Sequence, residues 1–125
     1  MLDELVLSEL SKTWLIDIDG VIFKHNGYLL DGHDTLLPGS KDFINGLSKG
    51  DKVILLTARE EAMREETESF LIDQGVRYDS ILFGLPTGER IIVNDMKPSG
   101  LQTSKAVNLS RDVGIKMKVV IDKNL

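Results

Sequence analysis

The chain has 125 residues, of which 42% are hydrophobic and 28% are charged, and its formal net charge is −5. These values predict one globular domain over residues 1–125 and exclude a disordered or fibrous chain. The negative charge makes nucleic acid an unlikely partner, because binding to a phosphate backbone draws on clustered basic residues. The chain has no cysteine, which excludes disulfides, thiolate nucleophiles and zinc–thiolate sites.

The N-terminal residues MLDELVLSEL carry acids where a secretory signal peptide has basic residues. No apolar run approaches the roughly 18 residues that a membrane span needs. The sequence therefore predicts a cytoplasmic protein with no membrane partner.

The first predicted element in chain order is a strand at residues 13–18, TWLIDI. Residues 21–37 are too polar and too interrupted for a helix, and Asn26-Gly27 is a hairpin turn signal, so a small β-flap is expected there. A helix is predicted to start at Pro38-Gly39-Ser40 and to stop near Gly50.

The next strand is predicted at residues 52–57, KVILLT, and is followed by a helix at 59–74 that ends at Gly75. Strands at 80–84 (SILFG) and 90–95 (RIIVND), a helix at about 101–112 and a strand at 117–122 (MKVVID) complete the chain. The apolar runs are continuous, as in strands that are covered on both faces. The predicted fold is α/β: a doubly wound, Rossmann-like parallel sheet of about five strands, with helices on both faces and the β-flap after its first strand.

The stretch WLIDIDGVI places Asp17 and Asp19 at the end of an apolar strand. Side chains two residues apart in a strand point to the same face, and ligands of doubly wound sheets bind beyond the carboxyl ends of the strands. Two nearby carboxylates repel, so a proton or a cation must lie between them. Mg²⁺ suits such a site better than zinc, and Gly20 allows the main chain to approach a bound ion.

Two other predicted strands end in polar residues at the same edge. Thr57-Ala58-Arg59 offers a hydroxyl and free amides at a helix start, which favours an anion site. Asn94-Asp95 adds a third carboxylate, and Lys97 follows two residues later. The pattern predicts a site for a metal ion and an anion.

The motifs DIDGV, LLTAR and VNDMKP, in this order, resemble those of the haloacid dehalogenase-like (HAD) superfamily of phosphotransferases. The likeness extends from about Trp14 to Lys97. It implies that Asp17 attacks phosphorus to form an aspartyl-phosphate, and that Asp19 acts as general acid and base.

The resemblance also implies which residues bind the phosphoryl group and the metal. Thr57 would bind a phosphoryl oxygen, helped by the amides of Asp19, Gly20 and Ala58. Mg²⁺ would be held by Asp17, the main-chain carbonyl of Asp19, and Asp95.

One feature departs from the family pattern. In most members a lysine precedes the last acidic motif, but no lysine lies between Lys52 and Lys97. Lys97 is the expected replacement, and Arg59 and Arg64 are the alternatives.

The stretches after the first and second motifs are too short for a cap domain. An open site is therefore expected, and a neighbouring subunit of a homo-oligomer is a possible source of a lid. The predicted function is a Mg²⁺-dependent phosphatase for a small phosphate ester, a sugar phosphate being the best guess. Two alternatives stay open: a phosphatase acting on polynucleotide ends, and a non-catalytic, receiver-like module that senses phosphate or metal.

Overall fold

The computed structural model describes residues 3–125. In this part of the chain the strands are β1 (Asp3–Leu7), β2 (Thr13–Asp17), β3 (Lys52–Leu56), β4 (Ser80–Leu82) and β5 (Met117–Ile121). The α-helices are α1 (Gly27–Leu30), α2 (Ser40–Asn45) and α3 (Arg64–Gln74), and a short 3-10 helix, Glu61–Met63, directly precedes α3.

The strands form two parallel sheets. The larger has the order β2-β3-β4, with β3 in the middle, and the smaller pairs β1 with β5. The prediction of an α/β fold with parallel strands is confirmed. The finer prediction, one doubly wound sheet of about five strands, is not met: the described residues form two sheets, of three and two strands.

The core lies on one face of the three-stranded sheet. Ile16, Val53, Leu55 and Ile81 are buried there, at positions that alternate along each strand. Ile44 of α2 and Leu71 of α3 belong to the same cluster and are fully buried. Both helices therefore cover this face, since each directs its apolar residues toward it.

The opposite face of the sheet is less well covered. Leu15 and Leu82, which alternate with the core residues, are 43% and 49% exposed. The helix that was predicted at residues 101–112 does not form. The expectation of helices on both faces is therefore not met by the described residues.

The strand that was predicted at residues 90–95 is also absent. Residues 83–116 contain no helix or strand, and Ile91 and Val93 are 83% and 93% exposed. An apolar run becomes a strand only when a neighbouring strand takes up its main-chain hydrogen bonds and a core takes up its side chains. Residues 90–95 have neither in this structure.

The predicted β-flap is wrong as well. Asn26 adopts the left-handed conformation, with φ 56°, and starts the single turn of α1 instead of a hairpin. Only isolated bridges join Phe23 to Asp19 and to Leu36. None of the helices within residues 3–125 has the length and apolar character that a membrane crossing requires.

The register of the larger sheet sets the position of the candidate site. Asp17 at the end of β2 pairs with Leu56 at the end of β3, and Leu56 pairs with Leu82 at the end of β4. The carboxyl ends of all three strands therefore lie in line at one edge.

Candidate active site

Asp19 follows β2 at this edge, and both of its carboxylate oxygens accept hydrogen bonds. The Thr57 hydroxyl donates to Oδ2 at 2.7 Å, and Nε of Arg59 donates to Oδ1 at 2.9 Å. Thr57 and Arg59 both lie just beyond the end of β3. The hydrogen bonds therefore join the ends of two neighbouring strands.

The Arg59 side chain is the centre of a buried charge network. It is only 2% exposed, and its NH1 and NH2 groups donate to Asp34 Oδ2 at 3.0 Å and Oδ1 at 2.7 Å, a paired geometry that is among the strongest in proteins. NH1 also donates to Thr67 of α3 at 3.1 Å. The guanidinium carbon lies 4.4 Å from the ring centre of Tyr28 and 5.3 Å from that of Phe23.

The protonation of Arg59 is decided by competing effects. Burial lowers the pKa of the guanidinium, but the hydrogen bonds and negative charges of Asp34 and Asp19 outweigh burial and raise the pKa above its usual value. One permanent positive charge therefore lies between two carboxylates. Because four of its five N–H donors are used inside the protein, Arg59 holds the site together and is not free to bind a substrate in this structure.

Asp17 has a different environment from Asp19. No side chain within residues 3–125 donates a hydrogen bond to its carboxylate, and the residue is only partly buried. Burial first, and then the negative charge of Asp19, raise the pKa of Asp17. The charges of Arg90 and His25 lower the pKa but do not cancel the rise. Asp17 is thus a carboxylate that a cation or an electrophile would stabilise.

Arg90 and His25 are the basic residues that act on Asp17, and the sequence pattern did not single them out for this role. Arg90 lies in the irregular segment after β4, where it donates to the carbonyl of Pro86 at 2.5 Å. No motif marks its position. The nearest signal in the sequence is the absence of a lysine from the region where the HAD family carries one.

The other predicted phosphate-binding groups are differently placed. Thr57 is fully buried, and its hydroxyl also accepts the Arg59 amide at 3.0 Å. The Gly20 amide donates to the Phe23 carbonyl at 2.7 Å. Ala58 is exposed, and its amide has no hydrogen-bond partner in the described part of the chain.

The predicted basic residues lie elsewhere. Arg64 pairs with Glu61 in the adjoining 3-10 helix, and its guanidinium stacks 4.5 Å above the ring centre of Phe83. Lys97 is exposed in a turn that its own amide closes by donating to the Leu101 carbonyl. Neither Arg64 nor Lys97 is among the charges that act on Asp17.

The predicted metal ligands Asp17, Asp19 and Asp95 do not form a group. Within residues 3–125 no three acidic or histidine side chains gather as a metal site would require. Asp95 is exposed in the irregular segment, because the strand that was expected to carry it does not form. Of the two acids at the sheet edge, Asp17 is the one whose carboxylate has no side-chain partner within residues 3–125. Mg²⁺ often takes only one or two carboxylates and completes its shell with water and phosphate oxygens. Asp17 could supply that one carboxylate.

Comparison with known proteins adds no relative to these observations. No protein-family model matches the chain, and neither a curated protein nor a solved structure matches it significantly.

The Arg59–Asp34 pair yields a stability prediction. We expect Asp34→Asn to lower the free energy of unfolding by about 3 kcal/mol, because it removes one partner of a buried ion pair whose side chains are 2% and 8% exposed. Urea denaturation measures the loss. The matched control is Asp31→Asn, which removes the partner of Lys24 on the surface, where we expect no measurable loss. Equal losses of unfolding free energy in the two variants would contradict a stabilising role for the buried Arg59–Asp34 pair.

Asp17 yields a prediction of opposite sign. The pKa of Asp17 is higher in the folded than in the unfolded protein, so stability is lost as the pH rises through the folded value. We expect Asp17→Asn to raise the melting temperature near pH 7 and to change it by almost nothing near pH 3, because the amide resembles the protonated acid.

Thermal melts with a chelator present, over that pH range, test this expectation. Asp73→Asn on the exposed side of α3 is the control and should show no pH-dependent gain. A destabilised Asp17→Asn protein near neutral pH would show that the Asp17 environment favours its charged form.

Proposed function

We propose that the chain is a Mg²⁺-dependent phosphomonoester hydrolase that acts through an aspartyl-phosphate on a small phosphorylated metabolite, with a sugar phosphate as the leading candidate. The observation that carries the proposal is the unequal state of two neighbouring acids. Asp19 is engaged by Arg59 and Thr57, whereas Asp17 is partly buried and has no side-chain partner within residues 3–125. Pairs of carboxylates with different environments are typical of sites that divide nucleophilic and acid–base roles.

In the first step a carboxylate oxygen of Asp17 attacks phosphorus. A new O–P bond forms, the ester O–P bond breaks, and the leaving oxygen keeps the electron pair. Asp19 accepts hydrogen bonds on both oxygens in this structure, so the scheme requires it to take up one proton from solvent after Thr57 turns away, and Asp19 then gives that proton to the leaving oxygen. The aspartyl-phosphate is then hydrolysed by water, whose proton returns to Asp19, so that Asp17 is regenerated and inorganic phosphate leaves.

The Thr57 hydroxyl determines when Asp19 is available for proton transfer. Its hydroxyl has one proton, which it donates to Asp19 Oδ2 in this structure. When the hydroxyl turns to a phosphoryl oxygen, Oδ2 loses that donor while Oδ1 keeps its hydrogen bond to Arg59. Binding of the phosphoryl group would thus release one oxygen of Asp19 for proton transfer. Because Thr57 is fully buried, this step requires the edge of the sheet to open slightly.

Several features support the rest of the proposal. A bound Mg²⁺ would offset negative charge on the phosphoryl group, and the Asp17 carboxylate would be its side-chain ligand at the sheet edge. Arg90 supplies positive charge near Asp17, and the exposed Ala58 amide offers a hydrogen-bond donor. The chain has no cysteine, which fits the reducing cytoplasm that we propose as its location. A lid from a neighbouring subunit stays a prediction.

The two alternatives have less support. A receiver-like module needs its phospho-accepting aspartate at the end of the middle strand, but β3 is followed by the buried Thr57. A phosphatase for polynucleotide ends needs a basic track, and the chain carries a formal charge of −5. No contact in the described residues favours either one.

A phosphatase assay tests the proposal. We expect hydrolysis of members of a phosphometabolite panel in the presence of Mg²⁺ and little without it. Asp17→Asn should lower turnover by roughly 1,000-fold or more, since it removes the attacking group. Asp73→Asn, a surface control, should keep wild-type turnover. Wild-type protein that is inactive on the whole panel, or an active Asp17→Asn protein, would overturn the proposal.

A further inference from the structure

A turn from the C-terminal part of the chain lies directly against the candidate site. The Asp112 amide donates to the Gly20 carbonyl at 2.9 Å, and Asp112 Oδ1 accepts the His25 amide at 2.8 Å. Gly20 and His25 belong to the segment that follows β2. Two hydrogen bonds therefore join regions that are almost ninety residues apart in sequence.

The same turn is fixed on its other side. The Ile115 amide donates to the Pro38 carbonyl at 3.1 Å. Gly114 has φ +93°, and a Cβ atom there would lie 2.0 Å from the Pro38 oxygen, so only glycine fits. Contacts on both sides thus hold the turn in one position beside the site.

Arg111 projects from this turn across Gly20. A Cβ atom placed on Gly20 would lie 3.3 Å from Arg111 Cγ, 3.9 Å from its Nε and 4.0 Å from His25 Cβ. Arg111 is exposed. It therefore crosses the turn that carries the chain away from Asp17.

Arg111 has no acidic partner within residues 3–125, in contrast to three other basic residues nearby. Lys24 pairs with Asp31, Arg59 with Asp19 and Asp34, and Arg64 with Glu61. Arg111 makes no salt bridge and no side-chain hydrogen bond within residues 3–125. Its neighbour Asp112 directs one carboxylate oxygen to the His25 amide. An unpaired guanidinium in a fixed turn is suited to bind an anion, since its planar fork matches a carboxylate or a phosphate.

We propose that Arg111 binds an anionic group on the leaving part of the substrate. The preferred substrates then carry a carboxylate or a second phosphate in addition to the phosphoryl group that is transferred. This inference rests on the proposed function and narrows its substrate class.

The position of Arg111 favours the leaving part over the transferred phosphoryl group. Arg111 lies over Gly20, on the turn that follows β2, and its Nε is 3.9 Å from the position of a Cβ atom on Gly20. The guanidinium is therefore placed at this turn and not at the strand end that carries Asp17. An anion bound there is the part of the substrate that extends away from the phosphoryl group.

Matched pairs of phosphate esters test the proposal. Phosphoglycolate is compared with ethyl phosphate, and fructose bisphosphate with fructose monophosphate, so that each pair differs by one anionic group. We expect Arg111→Ala to raise KM for the two esters that carry the extra anion by roughly 10-fold, with little change in kcat. KM for the two simpler esters should stay constant. Arg111→Lys should restore part of the difference, because it keeps the charge but loses the fork.

Lys41→Ala is the matched control, since it also removes one positive charge. Lys41 belongs to α2, and its Nζ approaches Gly75 at the C-terminal end of α3. It should leave all four KM values unchanged. Equal effects of Arg111→Ala on both members of each pair, or no effect, would overturn the proposal.

Binding of the same four esters, measured by calorimetry, separates this inference from the proposed function. Arg111-dependent binding of the two esters with the extra anion, without turnover of any ester, would refute the hydrolase and keep the recognition role of Arg111. Turnover without Arg111-dependent discrimination would refute the recognition role and keep the hydrolase.

Discussion

The structure of the candidate site depends on one buried guanidinium. Arg59 lies between Asp19 and Asp34, and a charge with so little contact with water is tolerated only when it is paired and hydrogen-bonded. Through these contacts and that with Thr67, the guanidinium joins the residues after β2 and β3 to the segment after α1 and to α3. It also determines the difference between the two acids at the edge, because Asp19 is held by Arg59 while Asp17 keeps a raised pKa and no side-chain partner within residues 3–125.

Local sequence patterns predicted the parts of the fold that have near neighbours in the chain. The strands near residues 13–18, 52–57, 80–84 and 117–122 are confirmed, as is helix α3. β1 was missed because its only partner, β5, lies more than a hundred residues away, and a short acidic segment carries little strand signal by itself. The prediction of a strand at 90–95 was wrong for the converse reason. Its apolar pattern is strong, but in this structure no neighbouring strand pairs with it and its side chains do not pack in the core.

The candidate site was predictable only where a motif marks it. Asp17, Asp19 and Thr57 follow the ends of strands, and strand ends can be read from the sequence. Asp34 and Arg111 could not be predicted in this way, because each acquires its role from one partner that is distant in sequence: Arg59 for the first and Gly20 for the second. Arg59 itself was noticed as an anion-binding residue, but its contacts in the structure are to carboxylates of the protein.

Direct identification of the phosphorylated residue tests the central claim, which is that the engagement of Asp19 leaves Asp17 as the reactive acid. The protein would be mixed with a fast-reacting aryl phosphate, quenched in acid and treated with borohydride, which reduces an aspartyl-phosphate to homoserine. Mass spectrometry of the resulting peptides then locates the modified position. The account predicts homoserine at Asp17. Homoserine at Asp19 or Asp34, or unmodified peptides from a protein that is hydrolysing the ester through a burst of product, would contradict it.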